Sequence, residues 1–161
     1  MSTPADTPHF EELDACHRQI HQHLLELGDL ARHVQTRGVD DVAKAMAGPI
    51  EAFFSGTSRQ HHLDEESKVF PQLLAEGSAE MQALVRTLRQ DHGWIEENWI
   101  ELAPQLRAIA TGSHWISEEE FLHAVEVFHD LCLGHIALEE SVIYPESKAR
   151  WAALIARRRA R

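Results

Sequence analysis

An all-α fold, an up-down-up-down four-helix bundle followed by a short C-terminal helix, is predicted for this 161-residue chain by three observations. Apolar residues recur every three or four positions through almost every long segment, which is the period of a helix with one buried face. No segment alternates apolar and polar residues as a half-buried strand would. Short loops divide the periodic segments into four stretches of roughly 25 to 35 residues, the proportions of a bundle. The length fits one domain over 1–161, with the bundle at about residues 8 to 146 and the C-terminal helix at about 146 to 160.

The first helix opens at Thr7-Pro8, with Thr as N-cap and Pro in the first turn. Its stripe is Phe10, Leu13, Ile20, Leu24, Leu27, Ala31 and Val34, with His17 inside it, and Gly38 ends it. A second helical region runs from about Val39 to Glu76. Gly48-Pro49 is expected to break it into a lead-in and a main helix, and Pro71 to kink or close it. Phe54, Ser58, His61, Glu65 and either Gln72 or Leu73 share one face of the main part.

Gly77-Ser78 separates this region from a third helix, about Ala79 to Ala110, whose stripe is Val85, Leu88, His92, Ile95, Trp99, Leu102 and Leu106. Ser117 with Glu120 forms a capping box that opens the fourth helix. Val125, Phe128, Cys132, His135, Glu139 and Val142 line its inner face, with Leu131, Leu138 and Ile143 alongside. Beyond Pro145, Trp151, Leu154 and Ile155 give a small fifth helix a docking face against one end of the bundle.

Composition narrows the function. A net charge of −11 argues against nucleic acid and anionic membranes as partners. The basic cluster Lys148, Arg150, Arg157, Arg158, Arg159 and Arg161 fits a helix C-terminus. Cys16 and Cys132 make no disulfide framework, and the polar start Met1 to Pro8 does not resemble a signal peptide, so a soluble cytoplasmic protein is expected. No apolar run is expected to span a membrane. Twelve histidines are about three times the average share.

One segment of the chain occurs twice. His61, Glu65, Glu66, Ser67 and Pro71 recur as His135, Glu139, Glu140, Ser141 and Pro145, and Phe70 recurs in type as Tyr144. Four positions on a helix amount to a rotation of ~40° and a rise of ~6 Å, so each His and its Glu face the same way one turn apart. The repeat runs deeper: His17 to His92 is 75 positions and His61 to His135 is 74. Each bundle helix thus brings one histidine to a similar depth.

Burying His17, His61, Glu65, His92, His135 and Glu139 together without a cation would leave costly unpaired polar groups. Imidazoles with carboxylates suit iron or manganese, whereas structural zinc recruits Cys and closes at four ligands, and calcium or magnesium would take oxygen donors. Glu65 and Glu139, rather than Glu66 and Glu140, stand one turn from the histidines. His61 is chosen over His62 because His61 aligns with His135 and His62 with Ile136. His21, one turn after His17, His62 and Glu96 are further candidate ligands. Cys16 and Cys132 read as small buried hydrophobes, with a redox-sensitive thiol near the centre as the alternative for either.

The order of one His, His-x-x-x-Glu, one His and His-x-x-x-Glu, with Glu-Glu-x-x-x-[Phe/Tyr]-Pro tails, resembles the hemerythrin family, in particular its bacterial HHE cation-binding branch. The resemblance covers about residues 8 to 146. It implies a four-helix bundle holding two non-haem, carboxylate-bridged iron ions, with manganese or zinc as possible substitutes. His17 and His61 would hold one iron, His92 and His135 the other, and Glu65 and Glu139 would bridge. The chain departs from oxygen-carrying hemerythrins, which have His-x-x-x-His on the third helix and an Asp five after the last His. His92-x-x-x-Glu96 and Glu139 stand here instead, so reversible oxygen carriage is not implied.

The function implied is a di-iron protein that reacts with oxygen, nitric oxide or peroxide in sensing or handling redox stress. The alternatives are a di-iron enzyme with catalase-like or nitric oxide reductase activity, and iron storage or delivery. The ligand order also resembles the di-iron domain of iron-sulfur repair proteins, whose additional N-terminal cysteine-bearing domain has no counterpart in these residues. Expected partners are a small diatomic ligand or peroxide, with the chain a monomer or weak homodimer.

Overall fold

The computed structural model describes residues 6–161, and the polar start at residues 1–5 lies outside the described residues. Four long helical rods run antiparallel. The first is α1, Phe10–Arg37. The second is built from α2 (Asp41–Ser55), α3 (Thr57–Asp64), a π-helical turn at Glu65–Val69 and α4 (Phe70–Glu76). The third is α5, Ala79–Ala110, and the fourth is α6 (Glu118–Leu138), a second π-helical turn at Glu139–Ile143 and α7 (Tyr144–Arg159). α1 packs against α2 and α6, and α5 completes the square by packing against the same two.

Local chemistry accounts for most boundaries. Asp40, Ser78 and Ser117 each cap a helix by accepting a hydrogen bond from the backbone N–H three residues on. Gly38 ends α1 at φ 73°, a left-handed conformation open to glycine. α1 starts two residues later than Thr7-Pro8 suggests, with His9 in the N-cap position and no side-chain cap.

The expected break at Gly48-Pro49 is not there. α2 runs through it, because Gly48 has no Cβ to collide with the Pro49 ring and the freed Ala45 carbonyl lies on the exposed side. The interruption falls instead at Gly56, between α2 and α3.

The two π turns sit immediately before the two Pro residues. Phe70 N–H bonds to the Glu65 carbonyl and Tyr144 N–H to that of Glu139, each five residues back. A proline ring in a regular α-helix collides with the carbonyl four residues earlier, and the wider π turn makes room for it. The helix therefore continues, so α7 follows α6 with no loop between them. The extra residue also advances the phase: Ile143, expected alongside the stripe, is fully buried, and Val142, expected on it, is partly buried.

The joined helix Glu118–Arg159 is long and apolar enough to cross a membrane by length and composition, contrary to expectation. Its residues Phe121, Val125, Phe128, Cys132 and Ile136 are buried in the bundle core.

That core has two parts. The larger cluster includes Ile20, Leu24, Leu27, Phe54, Ile95, Trp99, Leu106, Phe128 and Ile136. The smaller contains Leu13, Val69, Phe70, Leu73, Val85, Leu88, Ile143 and Tyr144. Along α1 and α5 the stripe passes from the smaller cluster through one histidine to the larger, Leu13–His17–Ile20 and Leu88–His92–Ile95. A polar layer thus lies between two apolar ones.

Candidate metal centre

Four histidines and two glutamates in this layer are buried: His17, His61, Glu65, His92, His135 and Glu139 are all at most 7% exposed. They fall into two groups that share the layer. His17, His61, Glu65 and Glu139 form one, and His62, Glu65, His92 and His135 the other, with one donor atom per residue lying within 4.8 Å of the rest of its group. The carboxylates link the groups. Glu139 Oε1 is 3.3 Å from His17 Nε2 and 3.2 Å from His135 Nε2. Glu65 Oε1 is 3.2 Å from His61 Nε2 and 3.5 Å from His92 Nε2.

Outer nitrogens fix the rings. His17 Nδ1 is 3.1 Å from Glu140 Oε1, His92 Nδ1 is 3.1 Å from Glu66 Oε1, and His135 Nδ1 is 3.3 Å from Asp91 Oδ2. A ring that donates Nδ1–H to a carboxylate presents a lone pair at Nε2, the arrangement of a metal-ligating imidazole. Aromatic rings hold the same residues. Tyr144 stacks on His17 at 4.8 Å, and Phe70 on His92 at 5.6 Å.

The metal-free electrostatics are unfavourable as they stand. Burial, reinforced by the charge of Glu65, pushes the Glu139 carboxyl well above the usual range. Burial works the same way on Glu65, but the neighbouring Glu139, His61 and His92 outweigh it and hold that carboxyl well below. Two carboxyls this close share a proton instead of both ionising. Burial and the nearby His61 lower His17 to about 4. His61 is buried too, yet Cys16 and Glu65 raise it to about 10. Burial and then His92 lower His62 well below the imidazole value.

Several atoms have no hydrogen-bond partner: both His61 nitrogens, Glu65 Oε1 and both Glu139 oxygens. His92 Nε2 and His135 Nε2 face each other at 3.1 Å. With both Nδ1 atoms directed at carboxylates, two lone pairs would meet there unless a proton or a cation lies between them. Buried polar atoms without partners are costly, and a cation of charge two or more would satisfy this set while replacing the shared proton. The donors present therefore fit a metal.

The structure brings together all six residues singled out by the repeat, and adds His62. Adjacent helix residues differ by ~100° in direction, so His61 turns toward α1 while His62 turns toward α5. His62 stacks on His92 at 4.1 Å, and His61 meets His17 edge-on at 4.8 Å.

The remaining candidates, His21 and Glu96, are not brought into the layer. His21 is exposed, the helix having rotated it past the inner stripe. Glu96 is taken by the Arg59 guanidinium, which donates to both of its oxygens. Tyr144, Asp91, Glu66 and Glu140 were not read from the sequence as part of the site. The 74-residue offset was the available signal for Glu66 and Glu140, which repeat at it, whereas Asp91 has Cys16 as its counterpart and carried no such signal.

A bundle that buries four imidazoles and half-buries a fifth around two carboxylates, with three of the rings held from outside by further carboxylates, defines a cation-binding four-helix protein. The model of the hemerythrin HHE cation binding domain matches residues 9–147, and the chain belongs to that family. Such domains hold a metal, typically iron, and both groups of donors fit that. An uncharacterized protein of Haemophilus influenzae is 28% identical over 130 residues, covering 81% of this chain and 73% of its own. No solved structure matches the chain.

Proposed function

We propose that this is a soluble, cytoplasmic, non-haem di-iron protein that reacts with oxygen, nitric oxide or peroxide. His17 and His61 would hold one iron and His62, His92 and His135 the other, with Glu65 and Glu139 bridging. The carrying observation is that Glu65 Oε1 and Glu139 Oε1 each lie within 3.5 Å of one imidazole nitrogen from either group. Imidazole with bridging carboxylate, and no thiolate among the donors, favours iron or manganese over structural zinc.

When bound, such a pair supplies open positions for a small ligand and a change of valence. This chain's residues supply the rest. Glu66, Asp91 and Glu140 orient three of the rings, and the apolar clusters on either side limit access of bulk water. Tyr144 Oη donates to Glu65 Oε2 at 2.9 Å, which holds a bridging carboxylate in place.

The same hydroxyl favours a second reading, an enzyme acting on peroxide or nitric oxide. Burial, and then the Glu65 charge, push the Tyr144 phenol far above its ordinary value, so it keeps its proton at the edge of the centre. Metal analysis with absorption spectra under oxygen, peroxide and nitric oxide tests both readings. Reversible spectra on exposure and removal of oxygen would favour carriage or sensing. Rapid oxygen evolution from peroxide, or turnover of nitric oxide, would favour the enzyme. Facile loss of iron to an acceptor with neither behaviour would replace both with delivery.

A further inference from the structure

The internal repeat breaks at one point that none of the metal-site chemistry uses. His17 corresponds to His92 at an offset of 75, and the residue before each corresponds too: Cys16 to Asp91. On one side Asp91 Oδ2 lies 3.3 Å from His135 Nδ1. On the other, the counterpart of His135 is His61, and its Nδ1 has no hydrogen-bond partner. A thiol thus stands where the repeat would place a carboxylate. Among His17, His61, His92 and His135, only His61 lacks a carboxylate on its outer nitrogen.

The same point adjoins a cleft. A cleft of about 380 Å³ lies between α1 and α3, walled by Pro8, Leu13, Gln60 and Lys68, with Cys16 and His61 also lining it. Cys16 is 8% exposed and His61 is 4% exposed, so both are reached through this cleft rather than from an open surface. A small molecule entering it meets the Cys16 thiol beside the buried His61 imidazole, whose Nδ1 has no hydrogen-bond partner. The other cysteine, Cys132, is 5% exposed and belongs with Cys16 to the large apolar cluster, but it lies beside a void of only about 10 Å³.

We propose that Cys16 is an oxidative modification site, converted to the sulfenic acid by a small hydroperoxide that enters the α1–α3 cleft. The sulfur attacks the distal peroxide oxygen: the O–O bond breaks, an S–O bond forms, and the thiol proton passes to the departing alkoxide or hydroxide. The thiol loses two electrons and the hydroperoxide gains two, giving Cys16–SOH and an alcohol or water. The added oxygen would offer His61 an oxygen acceptor of the kind Asp91 gives His135. Only this consequence for His61 rests on the di-iron reading; the modification itself does not.

The test uses the full chain, metal-loaded and metal-free. Each is exposed to one equivalent of hydrogen peroxide or a small alkyl hydroperoxide, sulfenic acid is trapped with dimedone, and each cysteine is scored by peptide mass spectrometry. The expected result in both forms is an adduct at Cys16 at about tenfold or more over Cys132, as partial access would give. Gln60→Trp, an exposed rim substitution that narrows the cleft, should slow that labelling without changing it in urea-unfolded protein. Equal labelling of Cys132, labelling of Cys16 only after unfolding, or a Gln60→Trp rate equal to that of the parent would overturn the proposal. Because the readout is mass and includes the metal-free form, a failure here leaves the metal stoichiometry to be judged separately.

Discussion

Tyr144 Oη donates a hydrogen bond of 2.9 Å to Glu65 Oε2, tying the start of α7 to the π turn of the second rod across the buried layer. The Tyr144 ring also lies parallel to that of His17, 10° between planes. Its counterpart in the repeat, Phe70, makes the ring contact with His92 but has no hydroxyl. Tyr144→Phe should therefore keep the stack and the fold while loosening one bridging carboxylate. Metal affinity should fall by about tenfold, measured by competition with a chelator. An affinity equal to the parent's would show that the hydroxyl does not support Glu65.

The outer carboxylates should matter nearly as much as the donors they orient. Asp91→Asn, Glu66→Gln and Glu140→Gln each leave a neutral acceptor on a ring nitrogen, and each should weaken metal binding by about 10- to 100-fold. Glu97→Gln, on the exposed face of α5, is the control and should leave binding unchanged. Equal affinities across all four variants would contradict the orienting role.

Metal loading should release protons at neutral pH. His61 is raised to about 10 and Glu139 well above the carboxylate range, so both hold protons in the metal-free protein. Ligands must be deprotonated to bind, so the metal displaces those protons and its apparent affinity rises with pH until the groups lose them unaided. Calorimetry in buffers of different ionisation enthalpy measures the release. Affinity that falls between pH 6 and 8 would reverse the sign expected here.

The larger apolar cluster should carry stability on its own account. Phe128 touches Phe54 and Trp99 at centroid distances of 5.1 and 5.3 Å and is 1% exposed. Phe128→Ala should cost about 3 to 5 kcal/mol in urea unfolding. The loss should be similar with and without metal, since the substitution lies outside the donor layer. A cost confined to the metal-loaded form would place Phe128 in the site instead.

How far the sequence could be read follows from what periodicity measures. Ala79–Ala110 and the Ser117 cap were legible because a long amphipathic stripe and a capping side chain are local signals. The course of the second rod was not. Gly48-Pro49 looks like a break, but the glycine relieves the steric conflict that a side chain would create, and nothing local marks Gly56 as the interruption. The π turns were hidden for a similar reason. Proline at positions 71 and 145 signals an end, whereas the wider turn before each lets the helix continue and moves Ile143 inward.

In the site, the repeat identified residues that share one helical face, so it grouped His61 with Glu65. It passed over His62 because its repeat partner is Ile136, and a helix crossing a four-sided interior can present two successive residues to two neighbours. Asp91 escaped notice because its role depends on His135, 44 positions away in sequence. Cys16 and Cys132 could not be told apart in the sequence as buried hydrophobe or redox-sensitive thiol, because the cleft beside Cys16 is built from two helices distant in sequence.

The central claim is that Glu65 and Glu139 bridge two metal ions. Anaerobic loading with ferrous iron, removal of excess, and elemental analysis per chain test it most directly. The expected result is about two irons per chain in the parent and less than one in Glu65→Ala or His135→Ala, with folding checked by circular dichroism. One ion per chain in the parent, two retained after Glu65→Ala and Glu139→Ala together, or stoichiometric zinc with no iron would contradict it.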